Sequence, residues 1–267
     1  MVRLGRGTLQ LQQTETPEKT GGERSIFTSG FLSCSISFVK AFELLGQTAA
    51  PDGTVMKLVR RGDEYIILSD GAVLMSSRMH GSEEALATLG CERARRLEHP
   101  SVLIGGLGMG FTLRATLDLL PPGATVVVGE LVPAVVEWNR GVLGPLAGHP
   151  LQDKRVRVET GDVAVALSSR LGPFDGVLLD VDNGPAALTA PSNAGLYDQQ
   201  GIAAAWAALK AEGVLAVWAT REDRKFEQRL RAGGFEVQVQ RPRGRLEKGG
   251  AHHTVIVGHK SRLRPKP

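Results

Sequence analysis

The sequence predicts an α/β protein in which a Rossmann-like, doubly wound sheet follows a small antiparallel β meander. From residue 101 onward, short apolar runs alternate with helical stretches, which is typical of βαβ units and a parallel sheet. Upstream, three shorter apolar runs are separated by Arg61-Gly62-Asp63 and by Asp70-Gly71. An Asp-Gly pair between apolar runs is a strong hairpin signal, so this part predicts antiparallel strands.

The composition excludes several classes of protein. The 267 residues are 42% hydrophobic and carry a formal net charge of +4, which excludes a largely disordered chain. Two cysteines, Cys34 and Cys91, are too few for a disulfide scaffold, and the sequence has no CxxC or HExxH metal motif. We therefore expect no metal, no membrane partner and a cytoplasmic location with reduced thiols. Few aromatic residues and a modest charge disfavour a nucleic-acid partner, and a homodimer is left open.

The N-terminal part is predicted in three pieces. Residues 1–30 are rich in Gln, Thr, Glu and Gly without any period, and they predict a disordered extension. Residues 31–45 predict a short amphipathic helix. A small β-rich domain is predicted over residues 50–80, and its apolar runs are Thr54–Arg60, Tyr65–Leu68 and Ala72–Met75.

The Rossmann-like domain is predicted over residues 82–258, before a basic tail at 259–267. Its first helix is expected to begin with Ser82 as N-cap and to reach Leu97. Right-handed crossovers and a closing hairpin predict seven strands in the order 3-2-1-4-5-7-6, with strand seven antiparallel. The predicted strands are Val102–Gly105, Thr125–Gly129, Arg155–Glu159, Gly176–Asp180, Val214–Ala219, Phe235–Gln240 and Thr254–Gly258. The helices between them are predicted at Phe111–Leu120, Pro133–Val142, Asp162–Leu171, Gln200–Lys210 and Asp223–Ala232.

Candidate ligand-binding residues follow the first three of these strands, whose carboxyl ends share one edge of the sheet. Gly106, Gly108 and Gly110 form a Gly-rich turn after strand one, which either admits a ligand close to the backbone or only packs tightly. Glu130 ends strand two, where an acid accepts hydrogen bonds from both ribose hydroxyls of an adenosine. Asp162 follows strand three and either contacts an adenine amino group or caps its own helix. Together these positions predict a nucleotide in the crevice beside strand one.

Candidate catalytic residues follow strand four. Asp180 directly follows a buried strand, so partial burial and a second acid at Asp182 are expected to raise one pKa, as suits a general base for an amine. An Asx-turn that ends the strand is the alternative. Asn183 and Tyr197 are expected to line the acceptor pocket. His252-His253 open the last strand, where alternation lets at most one of the two face a given site.

These motifs resemble the spermidine synthase-like branch of the S-adenosylmethionine-dependent methyltransferase fold over about residues 52–258. The segments that carry the resemblance are Val102–Arg114, Glu130–Val136, Arg155–Asp162 and Phe174–Asp180. The resemblance implies a small-molecule acceptor and a donor that is S-adenosylmethionine or its decarboxylated form. It also implies that Glu130 holds the ribose, that Asp162 contacts adenine and that Asp180 deprotonates the attacking amine.

Three departures from the family pattern lie outside the adenosine half of the site. Met109 stands where the family has an Asp that helps to hold the aminopropyl end of decarboxylated S-adenosylmethionine. Ser82-Glu83-Glu84 replaces Tyr-His-Glu and keeps only the last acid, so Glu84 is expected to face the acceptor. The loop after strand four lacks the family's Asp-Ser-Thr-Asp-Pro form.

The sequence therefore favours an S-adenosylmethionine-dependent transferase that acts on a small, nucleophilic amine. Its adenosine half matches the family pattern better than its polyamine half does. True aminopropyl transfer from the decarboxylated donor is the alternative. A nucleic-acid-binding or RNA-modifying protein is the least favoured interpretation.

Overall fold

A computed structural model describes residues 41–168, 172–181, 184–185, 194–244 and 252–261 of the chain. The described residues belong to one compact unit. The predicted extension and nearly all of the predicted basic tail lie outside the described residues. The helix predicted over residues 31–45 is wrong at its C-terminal end, because Glu43 begins a strand.

The N-terminal sheet is an antiparallel meander of four strands in sequential order. Its second, third and fourth strands confirm the predicted meander. At the last turn Asp70 and Gly71 have φ values of 47° and 83°, as a tight two-residue hairpin requires. The strands are β1 Glu43–Ala49, β2 Val55–Arg61, β3 Glu64–Ser69 and β4 Ala72–Ser76.

The second sheet has seven strands in the order β10-β11-β9-β8-β5-β6-β7. Its strands are β5 Ser101–Gly105, β6 Thr125–Glu130, β7 Val156–Thr160, β8 Phe174–Leu179, β9 Leu209–Ala219, β10 Phe235–Gln240 and β11 Thr254–Lys260. Strand β11 is antiparallel to both of its neighbours. This arrangement confirms the predicted order 3-2-1-4-5-7-6. Because β5 lies between β6 and β8, the chain reverses its winding there and opens a crevice at the carboxyl ends of these strands.

Seven α-helices and three short 3₁₀ turns connect the described strands. The helices are α1 Gly81–Gly90, α2 Phe111–Leu119, α3 Pro133–Arg140, α4 Val163–Ser168, α5 Ala194–Tyr197, α6 Gln199–Ala208 and α7 Arg224–Ala232. The 3₁₀ turns are Ala94–Arg96, Gly144–Ala147 and Pro150–Gln152. None of the helices in the described part is long and apolar enough to cross a membrane.

Two predicted boundaries are wrong for reasons of packing. Helix α1 ends at Gly90 rather than Leu97, at a close contact in which a Cβ on Gly90 would lie 2.7 Å from the side chain of Leu178. Strand β9 begins at Leu209, five residues earlier than Val214, because Leu209 is buried and pairs with Phe174 of β8.

The core lies on both faces of the seven-stranded sheet. Alternate residues of its central strands point into two separate apolar clusters, as the continuous apolar runs lead one to expect. Met56, Leu58 and Ile67 of the meander belong to the same cluster as Leu86 of α1. The meander therefore shares a core with the larger sheet, and this packing holds it over the crevice.

Candidate active site

The Gly-rich turn after β5 needs glycine for two different reasons. Gly106, Gly108 and Gly110 all have positive φ, at 88°, 53° and 83°. A Cβ on Gly106 would also collide with the carbonyl oxygen of Asp180, and one on Gly110 would lie 2.9 Å from Oδ1 of Asn139. Gly106 and Gly108 line a cavity, whereas Gly110 caps α2 away from it.

Gly106→Ala is expected to destabilise the protein by at least about 2 kcal/mol more than Gly71→Ala. Both glycines have nearly the same φ, but an added Cβ at Gly71 meets no atom within 4 Å. Gly71→Ala should lose only about 1–2 kcal/mol of stability, which is the cost of placing an alanine at a positive φ. Urea unfolding of both variants measures the difference. Equal losses would contradict the close approach of Gly106 to Asp180.

The first cavity has a volume of about 240 Å³ and lies between the strand ends and the meander. Its floor contains Gly106, Gly108 and the carboxylates of Glu130, Asp162 and Asp180. The meander side contributes a fourth acid, Asp52, to a mostly apolar cover. Among the described residues that line it, none is Lys, Arg or His. The cavity therefore suits a cationic ligand that bears hydroxyl groups and disfavours a phosphate.

Glu130 is held in place by two backbone groups. Its Oε2 accepts a hydrogen bond from the N–H of Leu107 at 2.8 Å, and its Oε1 accepts one from the N–H of Val132 at 2.9 Å. The side chain is buried, and burial raises its pKa, while these backbone donors oppose that shift. The carboxylate thus ties the Gly-rich turn to the end of β6 and borders the cavity.

Asp162 also lines this cavity. Its Oδ1 accepts a hydrogen bond from the N–H of Ala164 at 2.8 Å, so it caps α4. The side chain is otherwise exposed and uses only Oδ1 for this cap. The two roles that the sequence left open are therefore compatible, and the contact with adenine stays a prediction.

A second cavity of about 170 Å³ adjoins the first, and Asp180 lines both. The Thr112 hydroxyl donates a hydrogen bond to Oδ2 of Asp180 at 2.5 Å. Burial raises the pKa of Asp180 to about 6, although the bond from Thr112 favours the charged form. Near neutral pH, Asp180 is therefore a carboxylate with an unusually strong tendency to take up a proton.

A second carboxylate in this cavity is Glu83, from α1. Burial, followed by the charge of Asp180, raises the pKa of Glu83 to about 7. Two acids with raised pKa values beside one cavity are typical of a site that exchanges protons.

Ser82 and His253 complete this cluster. The Ser82 hydroxyl donates to Oε2 of Glu83 at 2.6 Å, and Nδ1 of His253 lies 2.8 Å from the same hydroxyl. The ring of His253 lies 4.8 Å from that of Trp218, and burial lowers its pKa. His253 lines the second cavity, whereas His252 bridges to Arg243, so only one of the pair reaches this site.

The cluster was only partly predictable from the sequence. Ser82 is not the N-cap of α1, because the cap residue is His80 and Ser82 is fully buried. Glu83, rather than the Glu84 that the family resemblance implies, borders the cavity. Glu84 instead lies 2.8 Å from Nδ1 of His80, and it lines neither cavity.

The remaining candidates lie elsewhere or outside the described residues. The Tyr197 hydroxyl donates to the carbonyl oxygen of Val181 at 3.2 Å, and its ring packs edge-on against Phe226. It lines neither cavity. Asp182 and Asn183 lie outside the described residues, and their roles stay predictions. Within the described part of the chain, no group of His, Cys, Asp and Glu is arranged to hold a metal ion.

Comparisons with known proteins give structural likeness only. No family model and no curated protein matches the chain. A spermidine synthase in complex with the transition-state analogue AdoDATO has a TM-score of 0.63 at 17% identity, covering 83% of this chain and 74% of that one. The spermidine synthase from Thermotoga maritima has the same TM-score and coverage at 19% identity. The chain therefore has a Rossmann-like fold similar to that of these spermidine synthases.

Proposed function

We propose that the chain is a transferase that moves a carbon group from an S-adenosylmethionine-type sulfonium donor to a small amine. The observation that carries this proposal is the pair of adjoining cavities that meet at Asp180. One cavity suits a nucleoside and the other holds a pair of carboxylates with raised pKa values.

The first cavity is assigned to the adenosine of the donor. Glu130 borders it with a carboxylate already oriented by two backbone bonds, as suits hydrogen bonds to both ribose hydroxyls. Gly106 and Gly108 leave room for the ligand beside the backbone. The acidic lining favours the positive sulfonium and repels the pyrophosphate of a dinucleotide.

The second cavity is assigned to the acceptor. An amine enters as an ammonium ion, which the carboxylates of Asp180 and Glu83 attract. Asp180 removes a proton and leaves the nitrogen lone pair free to attack. A bound sulfonium donor supplies the electrophilic carbon, and the electrons of its broken C–S bond pass to sulfur as a neutral thioether. The protein contributes by aligning the two reactants and by holding the proton.

Aminopropyl transfer is the second candidate, and the turn favours it. The N–H groups of Gly106, Leu107 and Gly110 are already bonded within the protein, so they are not available to a donor carboxylate. Glu83 instead offers a carboxylate to the terminal amine of the aminopropyl group in the decarboxylated donor. Met109, which is buried and apolar at the second cavity, supports the methyl-transfer alternative.

Calorimetric titration of the purified protein with S-adenosylmethionine and with its decarboxylated form tests the proposal. We expect at least one of the two to bind, and the tighter one identifies the group transferred. NAD⁺ serves as the control ligand and is expected not to bind, because the described cavity lining contains no basic residue for its pyrophosphate. The proposal fails if neither sulfonium compound binds.

A further inference from the structure

A line of hydrogen bonds runs beside the second cavity, and Glu83 and His253 at its two ends both line that cavity. It runs from the carboxylate of Glu83 to the hydroxyl of Ser82 and on to the imidazole of His253. Ser82 and Glu83 belong to α1, and His253 directly precedes β11. The contact between Ser82 and His253 joins residues that are 171 positions apart in the sequence. The proposed transfer uses the carboxylate of Glu83 but assigns no role to Ser82 or His253.

Burial decides what Ser82 does. Its side chain is fully buried, so the hydroxyl does not face a substrate and does not act as a nucleophile. It has one carboxylate neighbour and one imidazole neighbour, both within hydrogen-bond distance. A hydroxyl can donate to one such neighbour and accept from the other, and reversing both bonds passes a proton across it.

His253 gives the line an outlet. It is half-buried, whereas Ser82 is fully buried. A neutral imidazole takes up a proton at one nitrogen and releases one from the other, which suits it to carry protons between a cavity and solvent.

We propose that Glu83, Ser82 and His253 form a proton-exit path for the amine acceptor. The inference rests on the proposed function. The charged and titratable groups that face Glu83 are Asp180 from the end of β8 and Glu84 from α1, and the group that faces His253 from its own segment is His252.

Protons and charge balance along this path. The acceptor ammonium gives one proton to the pair of carboxylates, and its nitrogen forms the new bond to carbon as the C–S bond breaks. Protonated Glu83 then donates to Oγ of Ser82, while Ser82 donates its own proton to Nδ1 of His253. The imidazolium releases the proton to solvent, and both carboxylates return to their starting state.

The division of labour between the two acids follows from their partners. Two carboxylates beside one cavity share a proton near neutral pH, because the charge on one disfavours the charge on the other. Thr112 stabilises the charged form of Asp180 and Ser82 stabilises that of Glu83, so both acids take part in holding the shared proton. When the proton is on Glu83, it lies at the end of the line that leads to His253.

Proton NMR of the histidine side chains tests the path without requiring turnover. The His253 signal is assigned by its loss in His253→Gln, and its chemical shift is followed from pH 5 to pH 9. In the unaltered protein we expect a broad transition, because His253 and Glu83 exchange protons as one system. In Glu83→Gln and in Ser82→Ala the transition should become a single step, at a midpoint lower by about half a pH unit or more.

Glu84→Gln is the matched control, because Glu84 is the next residue of α1 and pairs with His80 instead. It should move the His253 transition far less than Glu83→Gln does, because the charge of Glu84 is the smallest of the influences on the pKa of Glu83. The path is overturned if Glu83→Gln and Ser82→Ala leave that transition unchanged, or if Glu84→Gln moves it equally. The donor titration is independent of this result. If the protein binds no sulfonium donor but shows the expected shifts, the proposed transferase is refuted, while the linked titration of Glu83 and His253 through Ser82 stands.

Discussion

Glu130→Ala is expected to weaken binding of the adenosine-type donor by roughly 30- to 700-fold. The change removes a pair of charge-assisted hydrogen bonds to the ribose, worth about 2–4 kcal/mol. The donor that binds in the calorimetric titration of the unaltered protein is the probe. Unchanged affinity in a folded variant would refute the assignment of Glu130 to the ribose.

Two further variants separate binding from folding. Glu130 also accepts the N–H groups of Leu107 and Val132, so the alanine variant is expected to lose stability as well as affinity. Glu130→Gln keeps the size and one acceptor oxygen, and it should retain more stability while still losing most of the affinity. Glu159→Ala is the control, because Glu159 is an exposed acid on the neighbouring strand β7 that lines neither cavity.

The sheet could be predicted from the sequence because its signals are local and strong. Apolar strands that alternate with helical stretches predict a parallel sheet, and the lack of a predicted helix between the last two strands predicts the antiparallel β11. Strand β1 gave no comparable signal. Its side chains are mostly exposed, and its pairing with β2 is interrupted by an irregularity between Leu44 and Gly46. Residues 43–49 form a strand because they pair with β2, and no local sequence pattern reveals that pairing.

The candidate site could be predicted where it depends on strand ends and not where it depends on helix register. Glu130, Asp162 and Asp180 follow directly from the carboxyl ends of β6, β7 and β8. Glu84 is expected to face the acceptor because it keeps the last acid of the family's Tyr-His-Glu, whereas Glu83 lines the cavity. Adjacent side chains of a helix point about 100° apart, so a difference of one residue in register decides which of the two acids faces the cavity.

His253 illustrates a different limit of the sequence. Alternation along β11 lets at most one of His252 and His253 face a given site but does not say which one. The choice depends on the register of β11 against β9, where Thr254 pairs with Ala219. Such long-range register follows from packing of the whole sheet, so the partner of Ser82 emerged only from the structure.

Asp180→Asn is expected to lower turnover about 10²- to 10⁴-fold with an amine acceptor, which is the usual loss when a general base is removed. The asparagine has nearly the same size and can still accept the hydrogen bond from Thr112, but it cannot take up a proton. Donor affinity should barely change, since Glu130 and the Gly-rich turn are untouched. Steady-state rates at saturating acceptor, together with calorimetric donor binding, measure the two effects separately. Normal turnover would mean that Asp180 only ends strand β8 and is not the general base.

The pH dependence of stability distinguishes a chemical role of Asp180 from a purely structural one. Burial raises its pKa in the folded protein to about 6, above the ordinary value of 3.8, so the folded state holds the proton more tightly than the unfolded state does. The stability that this proton contributes is present below about pH 4 and is lost as pH rises through 6. The amide of the variant carries no such charge, so Asp180→Asn should be more stable than the unaltered protein at pH 8 and gain little at pH 4. A variant that is inactive yet more stable at pH 8 means that the buried carboxylate is kept at a cost in stability, as expected of a catalytic base. A variant that is less stable at both pH values means that the carboxylate anchors the strand end, and its loss of activity would then follow from structure.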